Sequence, residues 1–203
     1  MIYCMEQLKA LCAIHSPSGK TDKAADYLMK ELTALGYEPK KTRKGGVVVC
    51  LGGEENPLLA MAHIDTLGAV VASIKSNGRL VLSPVGGLQP ENCEAENCVI
   101  LTRFDGEYSG TLQLNNASVH VNGDYSSKPR KFEEMEVVID ENTSSEEETR
   151  KLGIEIGDFV CFDPRTVITE SGYIKSRFLD DKLSVAILLA YAKFLKESGK
   201  TPE

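Results

Sequence analysis

Hydrophobic residues change their spacing partway along this chain, and that change limits the folds open to it more than any other feature. Up to residue 36 the apolar positions recur every three or four residues: Leu8, Leu11 and Cys12, then Ala24, Tyr27, Leu28, Leu32 and Leu35. That is the period of a helix with one buried face, so helices are predicted over 3–14 and 21–35, the second stopped by Gly36. Residues 46–51 (GVVVCL) and 58–63 (LLAMAH) are continuously apolar instead. Unbroken runs of that length read as strands buried on both faces, and helices followed by such strands predict an α/β sheet.

After Gly68 the texture changes again. Segments 69–74 and 79–82 flank Ser76-Asn77-Gly78, a strong hairpin turn signal. Further short strands are expected at 99–104, 111–114 and 134–140, separated by turns at Asp105-Gly106, Ser109-Gly110 and Asn122-Gly123. Ser144 and Glu147 stand at capping-box spacing and open a short helix to Leu152. Strands follow at 158–162, 166–169 and 173–177, then a long apolar helix at 183–196, ended by Gly199 and Pro202. The predicted organisation is an α/β domain, residues 1–67 and 163–203, interrupted by a β-rich insert, residues 68–162, in the form of a small barrel or sandwich.

Composition narrows the function. With 203 residues, 42% of them hydrophobic, the chain can bury one large core or two small ones. A net charge of -7 argues against nucleic acid as a partner, because phosphate binding needs clustered Lys and Arg. The longest apolar stretch, 183–195, is shorter than the about 20 residues a bilayer requires, and 1–13 does not read as a signal peptide. A cytoplasmic protein with no membrane partner is expected. None of Cys4, Cys12, Cys50, Cys93, Cys98 and Cys161 forms a C-x-x-C pair, so zinc-ribbon chemistry is not indicated and reduced thiols are expected.

The three histidines are His15, His63 and His120, so a metal site would have to lean on carboxylates. His63 and Asp65 form an H-x-D segment after an apolar run. In extended backbone such i, i+2 side chains point the same way, and a ligating imidazole needs a carboxylate to fix its tautomer. Asp180 and Asp181 begin the long apolar helix. Two adjacent carboxylates there either cap the helix or bridge cations. His15, in a loop, and His120, in the insert, read as ordinary locally bonded histidines.

His63-Ile64-Asp65-Thr66-Leu67-Gly68, Asp180-Asp181-Lys182 and the β-rich insert between them resemble the co-catalytic zinc exopeptidases, specifically the tetrahedral (glutamyl aminopeptidase-like) family. The resemblance spans the whole chain but only the N-terminal part of the family. It implies a zinc-exopeptidase-like α/β/α sheet domain interrupted by a dimerisation domain. It also implies a peptide substrate cut at its N-terminal residue, two Zn²⁺ or Co²⁺ ions, and a homo-oligomer built through the insert. His63 would be a metal ligand, Asp65 its orienting partner, and Asp180 the bridge between the metals. Asp181 would follow through a peptide bond that is often cis in the family. Thr66 departs from the pattern, which usually has Glu there.

The family's general-base Glu, the ligand Glu beside it, and later Asp and His ligands fall after the last helix. Glu203 stands too close to that helix to be either Glu, so the chain by itself is expected to be inactive. Two rivals remain. One is a non-catalytic remnant that serves as an assembly module. The other is an amidohydrolase or deacylase of the carboxypeptidase-like branch, which usually has Pro after the Asp and carries an α/β lid rather than an all-β insert.

Overall fold

The computed structural model of the protein describes residues 1–53 and 58–202; Glu203 lies outside the described residues. The chain divides into two compact units, Met1–Thr66 with Pro164–Glu203, and Leu67–Asp163.

In the first unit, α1 (Ile2–Ala13) buries Leu8, Leu11 and Cys12, and α2 (Asp22–Ala34) buries Ala24, Ala25, Leu28 and Leu32. α4 (Leu179–Ser198) buries Val185, Ala186, Leu189, Ala192 and Leu195, the three-and-four spacing of one helix face. These faces form one apolar core, each fully buried large side chain contributing about 1.5–3 kcal/mol. Gly199, at φ 63°, supplies the left-handed C-terminal stop of α4. Short antiparallel hairpins complete the unit: β1 (Lys40–Lys41) with β2 (Val47–Val48), and β9 (Val167–Ile168) with β10 (Ile174–Lys175).

Two expectations fail here. The run 46–51 alternates between partly buried and exposed residues, and only Val47–Val48 is a strand. The run 58–63 forms no strand at all; Leu58, Leu59 and Met61 are exposed. Apolar residues favour a strand only where a neighbouring backbone completes the ladder, and among the described residues no ladder reaches 58–63.

The second unit is a closed, wholly antiparallel barrel. Its strands are β3 (Gly68–Ile74), β4 (Leu80–Val85), β5 (Asn97–Leu101), β6 (Glu107–Leu114), β7 (Met135–Ile139) and β8 (Phe159–Phe162). They run in the order β3-β4-β7-β6-β5-β8 and close through β8 on β3. Closure removes the unpaired edges of an open sheet. Alternate residues fill the interior: Ala69 and Val71, Leu80 and Leu82, Cys98 and Ile100, Leu112 and Leu114, Met135 and Val137, Val160 and Phe162.

Glu136, on the opposite face of β7, is nevertheless only 1% exposed, because Lys75 and Arg79 cover it and pair with it. Ser109 and Gly110, expected as a turn, lie inside β6. Gly110 serves there as a point of close approach, since a Cβ would sit 2.7 Å from the Val138 carbonyl oxygen. The cap of α3 (Glu146–Lys151) sits one residue later than expected: Ser145 Oγ accepts from Glu148 N at 3.3 Å, and the Glu148 carboxylate accepts from Ser144 N.

Candidate metal centre

Three of the residues marked by the sequence meet in the first unit. His63 follows the exposed run 58–61 and partly buried Ala62, and half of its own side chain is accessible. Its Nδ1 lies 3.0 Å from Asp65 Oδ1 and 3.1 Å from the Asp65 carbonyl oxygen, as same-side placement of i and i+2 residues requires. Its Nε2 lies 3.1 Å from Oδ1 of Asp180, 117 positions away and 95% exposed.

Asp180 and Asp181 depart from helical backbone (φ -84°, ψ 104° and φ -125°, ψ 24°), and the bond between them is cis. Phe178, just before, takes the left-handed φ of 63°, an uncommon conformation for a bulky residue. The carboxylate of Asp180 is therefore presented by a break at the start of α4 rather than by a regular first turn.

Electrostatics follow from this arrangement. Partial burial of the ring opposes its charge, but the hydrogen bond with Asp180 and the carboxylate and carbonyl of Asp65 outweigh that. The His63 pKa is raised above its ordinary value. Both ring nitrogens face a carboxylate oxygen, so a neutral imidazole can donate to Asp65 or to Asp180 but not to both; with Nδ1–H given to Asp65, Nε2 is left as an acceptor toward a cation.

The pair also fits a cation geometrically. Tetrahedral donors about 2.0–2.1 Å from zinc stand about 3.3–3.4 Å apart, close to the distance seen here. His63 and Asp180 can thus supply two donors, with Asp65 as the carboxylate behind the imidazole. No group of three or more His, Cys, Asp or Glu side chains able to hold a metal occurs among the described residues. His120 is exposed in the barrel unit, and His15 sits in the loop after α1.

Other participants carry no recognisable sequence signal. The loop 15–20 runs beside 64–66 in a parallel bridge between Pro17 and Thr66. Thr66 N donates to Ser16 O at 2.8 Å, Ser18 N to Thr66 O at 3.2 Å, and buried Ser16 donates through Oγ to Ile64 O at 2.7 Å. Ser18 Oγ donates to Asp65 Oδ2. Lys182, only 1% exposed, donates to the carbonyls of Leu11 (2.8 Å) and Ile14 (2.7 Å), which satisfies the C-terminal end of α1. A Ser-Pro-Ser-Gly loop between two helices signals hydroxyls in search of acceptors, but not which acceptors.

Fold and site together define a class: an α/β unit with a His–carboxylate cluster, interrupted by an antiparallel barrel, in the manner of the exopeptidases the motifs resemble. Residues 45–201 match the M42 glutamyl aminopeptidase family, and the chain belongs to that family. It is 43% identical over 187 residues to YhfE of Bacillus subtilis (strain 168), covering 91% of this chain and 54% of the relative. It is 25% identical over 196 residues to the glutamyl aminopeptidase of Lactococcus lactis subsp. cremoris (strain MG1363), covering 95% and 55%.

The TET1 peptidase of Pyrococcus horikoshii, described as assembling into a tetrahedron or a large octahedral shell, shares the fold at a TM-score of 0.81 and 26% identity. That match covers 96% of this chain and 57% of the peptidase. The chain spans about half the length of the curated relatives it matches. Among the described residues, no helix is long and apolar enough to cross a membrane.

Proposed function

We propose a metal-dependent aminopeptidase that removes N-terminal residues from peptides, with His63 and Asp180 as metal donors. The observation that carries it is the 3.1 Å approach of an imidazole nitrogen and a carboxylate oxygen from positions 117 apart, in a chain of the M42 family. Asp65 orients His63 through Nδ1, and Asp180 stands where it could bridge two ions, Zn²⁺ or Co²⁺ by the family resemblance. Divalent ions bound there would supply Lewis-acid polarisation of a scissile carbonyl. The residues of this chain hold the imidazole in one tautomer and keep an exposed carboxylate facing it.

A catalytic zinc usually has three protein ligands, and the described residues offer two donors, so the 203-residue chain on its own is expected to be inactive. The shells described for the Pyrococcus horikoshii neighbour support assembly into a homo-oligomer, and the family resemblance makes the barrel the proposed surface. A second reading, a non-catalytic assembly module, is favoured by the shells described for that neighbour.

Aminoacyl-anilide hydrolysis with added Zn²⁺ or Co²⁺ separates the two. This chain and any longer natural form containing it would each be compared with a His63→Ala version. Metal-dependent turnover in the longer form, abolished by the substitution, is the expected result. Turnover that survives His63→Ala would overturn the proposed site. An inactive but stably oligomeric longer form would establish the assembly reading instead.

A further inference from the structure

We infer that Ser18 is a positioning residue for this site, its hydroxyl locking the Asp65 carboxylate in the orientation that holds His63 Nδ1–H and turns Nε2 toward Asp180. The inference rests on the proposed role of His63 and deepens it. A carboxylate rotates broadly about its terminal torsion, so one hydrogen-bonded oxygen does not define its plane. Asp65 has both oxygens engaged: Oδ1 is 3.0 Å from the imidazole, and Oδ2 accepts from Ser18 Oγ. Its side chain is 42% exposed, so packing alone does not hold it.

Ser18 itself is held firmly. Its N–H donates to Thr66 O, and Thr66 N–H donates to Ser16 O. Ser16 is 0% exposed and anchored to Ile64 O. Lys20 N donates to Pro17 O at 2.8 Å, and Gly19, at φ 97°, lets the chain turn away immediately after the serine. The loop thus leaves α1 and meets the 64–66 segment at a fixed register. Lys182, next but one to Asp180, grips the end of the same helix at Leu11 and Ile14. Lys182 thus ties the Asp180 segment to the end of α1, and the loop that continues from that end carries Ser18 to Asp65 and, through it, to His63.

The experiment reads the imidazole directly and needs neither metal nor turnover. Chain labelled with ¹⁵N-histidine gives the ring nitrogen shifts of His63, assigned by comparison with His63→Ala, at a pH where the ring is neutral. In Ser18→Ala the share of the Nδ1–H tautomer falls, while Ser18→Thr, which keeps the hydroxyl, restores it. If Ser18 acts only through Asp65, Ser18→Ala added to Asp65→Ala changes the His63 shifts no further.

An unchanged tautomer share in Ser18→Ala overturns the inference. So does a further shift in the double variant relative to Asp65→Ala, and a Ser18→Thr form that folds yet fails to restore the parent tautomer share overturns it as well. Loss of an outer-shell orienting group typically weakens metal affinity about 10–100-fold. A longer form that binds Zn²⁺ should show a loss toward the low end of that range in Ser18→Ala, with the Ser18→Thr form close to the parent. The aminopeptidase reading stands or falls separately, on the His63→Ala hydrolysis assay.

Discussion

Cys50 and Cys98 show how far one residue type can be driven apart by its surroundings. Cys50 is exposed, whereas Cys98 is 2% exposed inside the barrel. Burial, with the negative charge of Asp140 and the neighbouring Cys161 and Cys93, pushes the Cys98 thiol up to about 12. Iodoacetamide at mildly alkaline pH should therefore modify Cys50 in the native chain and leave Cys98 untouched until the barrel unfolds, as peptide mass spectrometry would show. Glu94 is driven the other way. Arg130 donates to both of its oxygens, at 2.9 and 3.1 Å, and Tyr125 adds a third bond, so its pKa is lowered despite partial burial. A carboxylate whose folded pKa is depressed contributes stability above its unfolded value, near 4.5, and loses it as pH falls through the lower folded value. Arg130→Ala should destabilise the fold at neutral pH and do so less below that window, measured by urea unfolding at the two pH values.

Elements follow local pattern where their partners lie close in sequence. The β3–β4 hairpin forms around Asn77-Gly78, with Gly78 at φ 84° as that turn demands, and α2 begins and ends within a residue of its periodic stretch. Gly110 shows where the pattern misleads. Beside Ser109 it reads as a turn, yet it is the thin point of a strand crossing. Gly110→Ala places a Cβ 2.7 Å from Val138 O and 2.9 Å from Val137 Cγ1, a clash with backbone that should cost about 1–3 kcal/mol. Gly123→Ala, with nothing within 4 Å, should stay within about 0.5 kcal/mol of the parent. Differential scanning calorimetry of the two variants tests the assignment; equal melting temperatures would refute it. The same limit governs 58–63, where an apolar run without a ladder partner among the described residues is not a strand however favourable its composition.

The molecule as a whole has two cores, one gathered by α1, α2 and α4 and one inside the barrel. A unit with its own core and no open edge should fold by itself. A fragment covering Leu67–Asp163 should give β-type circular dichroism and one cooperative thermal transition, whereas a disordered fragment would show that the barrel depends on the rest of the chain. By itself the sequence determined the periods, and so the helices, the short strands and their order. It also supplied, through His63-Ile64-Asp65 and Asp180-Asp181, the motifs on which the family resemblance rests. Period is a local property, fixed by which side of the backbone each residue leaves, and can be read in a window of a dozen residues. That Asp180 meets His63 across 117 positions was implied by the resemblance; only the tertiary structure decided that β8 closes the barrel on β3 and that Ser18 reaches Asp65 across 47. Those choices belong to hydrogen-bonding groups whose partners arrive when the chain returns. Hydroxyls, carboxylates and lysines accept many partners equally well, so nothing near Ser18 or Lys182 in the sequence records which one the fold brings.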